Sequence, residues 1–154
     1  LNPYRDPQGV GYNTIQAVIA VGSGQLFGKG IGYGTQSHLN FLPEAETDFI
    51  FAAFAEETGF AGAMLLLALF AALGWRILSI GIGAQDNFSK LFVLGFASFF
   101  FSQTLLHLAI NLGLLPVTGI GLPLISYGGS SLIAVLAGLG ILQSIRINSR
   151  AEIE

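Results

Sequence analysis

The 154-residue chain has no cysteine, and only 10% of its residues are charged. The missing thiols exclude a disulfide framework and any thiolate-ligated metal centre. A soluble domain carries about 25% charged residues, so the shortage of charge excludes an ordinary water-facing surface. Hydrophobic residues make up 53% of the chain and the mean hydropathy is +0.70, which points to a lipid-facing one. Cations are scarcer still: six Lys and Arg against nine Asp and Glu give a net charge of −3. No basic stripe exists to neutralise phosphates, so nucleic acid is excluded as a partner. A charged-then-apolar leader is also missing after Leu1. The chain is expected to be the C-terminal part of a longer protein.

What is present is unevenly distributed. Five of the nine acidic residues (Glu44, Glu46, Asp48, Glu56 and Glu57) fall within 14 positions, directly before a long apolar run. Ionised groups at the mouth of a span are costly and mark function. Crossing a bilayer takes about 20 apolar residues as a helix, and three stretches qualify, at about 49–75, 91–110 and 130–146. The fold class is therefore all-α, a polytopic membrane protein. Residues 1–47 form a loop region with one short helix near 15–21, and 48–154 form part of a larger membrane domain. Thr47 or Asp48 is expected to N-cap the first span, and Ser130 or Ser131 the last. On the second span Ser98, Ser102, Gln103 and His107 are expected to face protein, with Gln103 and His107 hydrogen-bonding between helices.

Two stretches cannot be regular helix. Six glycines lie between Gly22 and Gly34, and five glycines with two prolines lie between Gly113 and Gly129. The second stretch stays apolar, and non-helical backbone at membrane depth is tolerated only when buried in protein or lining a wet cavity. It reads as a re-entrant loop. Gly28-Lys29 looks like the end of a phosphate-binding P-loop, but Ser23 stands where that motif needs glycine and Gly30 where it needs Ser or Thr. The P-loop reading fails. Arg76, Lys90, Arg146 and Arg150 share one side of the three spans, which makes that side cytoplasmic. Both glycine-rich stretches and the acidic mouth then face outward.

Taken in order, several short runs form a pattern: Gly22-Ser23-Gly24, Leu26-Phe27-Gly28-Lys29-Gly30, Phe41-Leu42-Pro43-Glu44, Thr47-Asp48-Phe49-Ile50-Phe51, Glu56-Glu57 with Gly59, Leu115-Pro116-Val117-Thr118-Gly119 and Leu122 to Ser131. Together they resemble the SEDS family (shape, elongation, division and sporulation), over nearly the whole chain. Pro-Val-Thr-Gly looks more like the rod-shape RodA branch than the division FtsW branch. Glu46 departs from the pattern, since many members have His there.

The resemblance implies about ten transmembrane helices, of which this chain would hold the last three. It implies a peptidoglycan glycosyltransferase that polymerises lipid II on the outer face of the bacterial cytoplasmic membrane. The growing strand would be linked to undecaprenyl pyrophosphate, and the partner would be a class B penicillin-binding protein. The fragment alone is expected to be inactive. Two rivals share the same residues: a lipid II flippase and a non-catalytic scaffold for the penicillin-binding protein.

Glycosyl transfer from a lipid pyrophosphate needs a base for the acceptor hydroxyl and groups that hold the leaving pyrophosphate. Asp48 is the candidate base, and the family match favours that role over simple helix capping. Glu44, four residues earlier, could tune Asp48, contact sugar or hold a cation; a solvated loop carboxylate is the plain alternative. Glu56 lies about 80° round the helix from Asp48 and Glu57 about 180°, so Glu56 is the better cavity candidate. Lys29 or Arg5 could hold the pyrophosphate, with lipid head-group anchoring as the competitor. Ser126, Tyr127, Ser130 and Ser131 could contact donor phosphate at a helix start. A divalent cation, Mg or Mn, could bridge pyrophosphate to Glu44 or Asp48; no metal site is written in the sequence. Phe99 to Phe101 are expected to pack or face lipid.

Overall fold

The helices form where the sequence is apolar and end where capping groups allow. A computed structural model of the protein describes residues 10–30, 32–33 and 47–151. The helices are α1 (Val10–Ser23), α2 (Ile50–Gly83), α3 (Asn87–Asn111) and α4 (Gly129–Ala151), and the described residues include no strand. The protein is all-α. Three of its helices are long and apolar enough to cross a membrane: Ile50–Gly83, Asn87–Asn111 and Gly129–Ser149.

α2 continues past Trp75 to Gly83, because one exposed cation, Arg76, can extend to the interface without ending an apolar helix. The connection to the next helix is only Ala84, Gln85 and Asp86. Asp86 caps α3 by accepting a hydrogen bond from the Ser89 amide at 2.8 Å, so the next helix starts at once. A connection this short makes α2 and α3 antiparallel neighbours. Phe70 of α2 stacks on Phe100 of α3 at 5.5 Å between ring centroids, and Leu142 of α4 joins Ile77, Val93 and Ala97 in the same buried cluster. Gly74 sits against the ring of Phe101 and Gly138 against that of Phe96. Small residues let membrane helices approach closely where hydrophobicity alone gives no drive.

α1 lies across the far end of the bundle. Its Ala17 and Ala20, both fully buried, pack on Phe49, Ala52 and Ile110, where α2 begins and α3 ends. α2 itself is not continuous. Gly59 adopts φ 71°, ψ −168° inside the helix, a region essentially reserved for glycine. The break leaves the carbonyls of Glu56 and Glu57, and the amides of Phe60 and Ala61, without helical partners.

The glycine-rich loop supplies all four. Lys29 N donates to Glu56 O and Gly30 N to Glu57 O, both at 3.0 Å. Phe60 N donates to Gln25 O at 2.8 Å and Ala61 N to Leu26 O at 3.1 Å. Backbone meets backbone so closely that a Cβ on Gly24 would strike the Ala55 carbonyl and one on Gly28 the Glu57 carbonyl.

Candidate active site

Asp48 stands just before α2, on a turn that α2 does not cap in the expected way. The N-cap position belongs to Phe49, with φ −118° and ψ 22°, whose side chain makes no capping hydrogen bond. The expectation that Thr47 or Asp48 would occupy that position is corrected. The cap comes instead from the end of α3, where Asn111 Oδ1 accepts from Ala52 N at 3.0 Å. Among the described residues no hydrogen bond is made to the Asp48 carboxylate.

The facing wall is the loop 112–128. α3 ends into Gly113 at φ 72°, and the loop then runs without regular structure to α4. Side chains fasten it. Gln103 Nε2 donates to Gly121 O at 2.9 Å, and His107 Nδ1 lies 2.9 Å from Ile120 O. Facing a carbonyl, Nδ1 carries the hydrogen and donates. The two side chains, one turn apart on α3, thus take successive loop carbonyls in place of the expected bonds between helices. Each keeps a buried acceptor with no hydrogen-bond partner among the described residues, Gln103 Oε1 and His107 Nε2. Ser126 Oγ accepts from Leu122 N at 2.6 Å and donates to Thr47 O at 2.8 Å. That second bond ties the loop to the start of α2.

Between the two walls lies a cavity of about 640 Å³. Asp48, Gln103, Ser126, Tyr127 and Ser131 line it, with Ser102 and Phe99 of α3 beside them. Four residues singled out in the sequence, Asp48, Ser126, Tyr127 and Ser131, are therefore brought together. Ser126 spends its hydroxyl on holding the loop, and Tyr127 stands 79% exposed at the rim. Ser130 is exposed and does not line the cavity. Neither serine N-caps α4, because the helix already begins at Gly129; Ser131 Oγ donates to Gly128 O at 2.9 Å, the reverse of a cap. Ser98 is exposed, against expectation, while Phe100 is buried in the bundle core.

Comparison with known proteins settles the lineage. The family model of FtsW, RodA and SpoVE, described as cell cycle protein, matches residues 1–151. The chain belongs to this family. It is 48% identical over 150 residues to peptidoglycan glycosyltransferase MrdB of Escherichia coli (strain K12), covering 97% of this chain and 40% of that protein. Stage V sporulation protein E of Bacillus subtilis (strain 168) is 45% identical, with 97% of this chain and 41% of the relative covered. A probable peptidoglycan glycosyltransferase FtsW of Thiomicrospira cyclica is 44% identical over 153 residues, covering 97% and 39%. The chain thus spans about two fifths of the length of these relatives. A solved chain from work on structural coordination of polymerization and crosslinking by a peptidoglycan synthase complex superimposes with a TM-score of 0.76 at 36% identity, covering 96% of this chain and 39% of that one.

Two of the expected binding residues of this family member lie elsewhere. Lys29 Nζ is 2.7 Å from Glu56 Oε1, and Glu56 is fully buried, with Ser23 Oγ at 3.5 Å. Neither lines the cavity. The cause is the docking at Gly59: it places Lys29 N on Glu56 O, and the two side chains then meet on the same side. Lys29 is held by Glu56, and both stand outside the lining of the Asp48 cavity. Glu57 is half-buried, with its carbonyl taken by Gly30. Glu44, Glu46, Arg5 and Arg150's side chain lie outside the described residues. Among those described, no three of His, Asp and Glu come together as a metal-binding group. Asn111 was missed by sequence reading. Its signal was faint, a single amide closing an apolar span just before Leu112-Gly113.

Proposed function

We propose that this chain is the catalytic portion of a glycosyltransferase that polymerises lipid II into glycan strands, with Asp48 as general base. One observation carries the reading. Asp48, whose carboxylate takes no hydrogen bond among the described residues, lines a cavity of about 640 Å³ at the end of the bundle. The glycosyltransferase names of the relatives support the reaction class. The acceptor sugar's hydroxyl oxygen attacks the anomeric carbon of the donor, and its bond to the pyrophosphate oxygen breaks. Asp48 takes the hydroxyl proton, and the lipid pyrophosphate leaves with the bonding pair. A one-step displacement inverts that centre.

The side with Arg76, Lys90, Arg146 and Arg150 is cytoplasmic in this reading. The cavity opens on the outer face of the bacterial cytoplasmic membrane. Among the described residues, the cavity lining includes no Lys or Arg, and Lys29 stands outside it on Glu56. A divalent cation, Mg or Mn, would arrive with the pyrophosphate, which supplies the hard oxygen ligands such ions prefer. The peptidoglycan synthase complex that holds the structural neighbour supports a class B penicillin-binding protein as partner.

The test uses the full-length protein, purified with that partner and given labelled lipid II. Glycan strands resolved on a gel should form with wild type and vanish with Asp48→Asn. Strands at the wild-type rate from Asp48→Asn would remove Asp48 from the chemistry. A wild type that made none would favour a flippase or a scaffold.

A further inference from the structure

Asn111 is the last residue of α3 and is fully buried. Its amide makes three hydrogen bonds. Oδ1 accepts from Ala52 N at 3.0 Å, while Nδ2 donates to Asp48 O at 3.0 Å and to His107 O at 2.9 Å. Two carbonyls on one side and an amide hydrogen on the other leave only one orientation of the amide that works. The bond to His107 O, four residues back, ties the side chain to its own helix. Asn111 therefore presents a fixed amide to α2.

That amide does two things to the turn carrying Asp48. It takes the Ala52 N–H, one of the orphan donors of the first helical turn that a side chain before the helix would otherwise satisfy. It also holds the Asp48 carbonyl, while Ser126 Oγ holds the preceding carbonyl of Thr47 from the opposite wall. Successive carbonyls at 47 and 48 are thus anchored by side chains from two different elements. The Asp48 backbone is fixed on both sides, and its carboxylate is spared for the cavity.

We infer that Asn111 is a positioning residue for Asp48, an inference that rests on the proposed role of Asp48 as base. Reaction rates fall steeply when a reacting group shifts by an ångström, so loosening this clamp should act on the chemical step and not on substrate binding.

The test again uses the full-length protein with its partner and labelled lipid II. Asn111→Asp keeps the size and the acceptor towards Ala52 N–H but turns both donors into an acceptor facing carbonyls. Asn111→Ser leaves a small hydroxyl and serves if the first variant does not fold. For the folded variant, kcat should fall about 10- to 100-fold while KM stays within about threefold, the pattern of an interaction felt at the transition state. Deuterium exchange at residues 48–53 should quicken. Wild-type kcat per folded molecule, or a loss confined to KM, would overturn the inference and leave Asn111 a plain helix clamp. If wild type makes no strands, the polymerase reading fails on its own. Unchanged exchange at 48–53 would then show that Asn111 does not hold this turn either.

Discussion

The two irregular segments of this protein reach the helices by different means. Residues 24–30 are fastened by backbone: four main-chain hydrogen bonds insert the loop into the break at Gly59. Residues 112–115 still bond by backbone to the end of α3, but 116–128 are fastened to the helices by side chains, through Gln103, His107 and Ser126. A backbone joint needs glycine at each approach and brings neighbouring side chains together, which is why Lys29 and Glu56 end as a pair. Side-chain fastening keeps the loop a side-chain length away from the helices. The space left between is the cavity that Asp48 lines. One segment closes the structure and the other opens a site.

Substitutions at the joint should break this contrast most visibly. Gly59→Ala places a Cβ on the backbone of Gly28 and Phe27 at a φ that side chains avoid. Strain of about 1–3 kcal/mol adds to the loss of several hydrogen bonds at roughly 1 kcal/mol each. The variant should lose most of its folded fraction in a thermal unfolding assay in detergent. Gly121→Ala, at the other segment, presses on Ser126 Cβ at 2.7 Å and Oγ at 2.9 Å but keeps a negative-φ backbone and leaves the four hydrogen bonds of the joint in place, so it should cost less stability than Gly59→Ala.

Lys29→Met tests the ion pair. Leaving a buried carboxylate without its ammonium costs about 3–5 kcal/mol, so the thermal midpoint should drop markedly. Strand synthesis per folded molecule should stay within about twofold of wild type. A selective loss of synthesis with unchanged stability would return Lys29 to the site.

Ser126→Ala removes the tie between loop and α2. A hydrogen bond of this kind is worth about 1 kcal/mol, so stability should change little, while kcat should fall about tenfold as the cavity wall loosens.

The smallest effect belongs to the far end of the bundle. The Ser89 amide holds the Asp86 carboxyl below its usual value of 3.8. A depressed carboxylate stabilises the fold above that ordinary value, and the contribution is lost as the pH falls below 3.8 through the folded value. Asp86→Ala should lower the thermal midpoint slightly at pH 7, and the difference should vanish in strong acid.

Much of this was legible in the sequence because hydropathy dictates it. Three apolar runs of spanning length had to be helices, and the Pro116 to Gly129 stretch could be neither helix nor lipid-exposed. The sequence places Ser126, Tyr127, Ser130 and Ser131 on the same face as Asp48, and three of those four line the cavity with it. The fate of Glu56 was hidden, since a lone glycine inside an apolar run is compatible with unbroken helix, and only the docked loop makes Gly59 a break. The capping error had a related cause. Asp48 has the right chemistry for a cap, but Asn111, 63 residues away in sequence, reaches the same turn from α3. Local preference yielded to a tertiary contact.

In the proposed function, catalysis belongs to the side-chain-fastened wall and not to the backbone-fastened joint. Asp48→Asn and Glu56→Gln make the direct comparison, each a carboxylate replaced by its amide. Strand synthesis from labelled lipid II would be measured per folded molecule of the full-length protein with its partner. Losing a general base costs about 10²- to 10⁴-fold, so Asp48→Asn should fall by that factor, while Glu56→Gln should stay within about twofold of wild type. Equal losses in the two variants, or a larger loss at Glu56, would contradict the account.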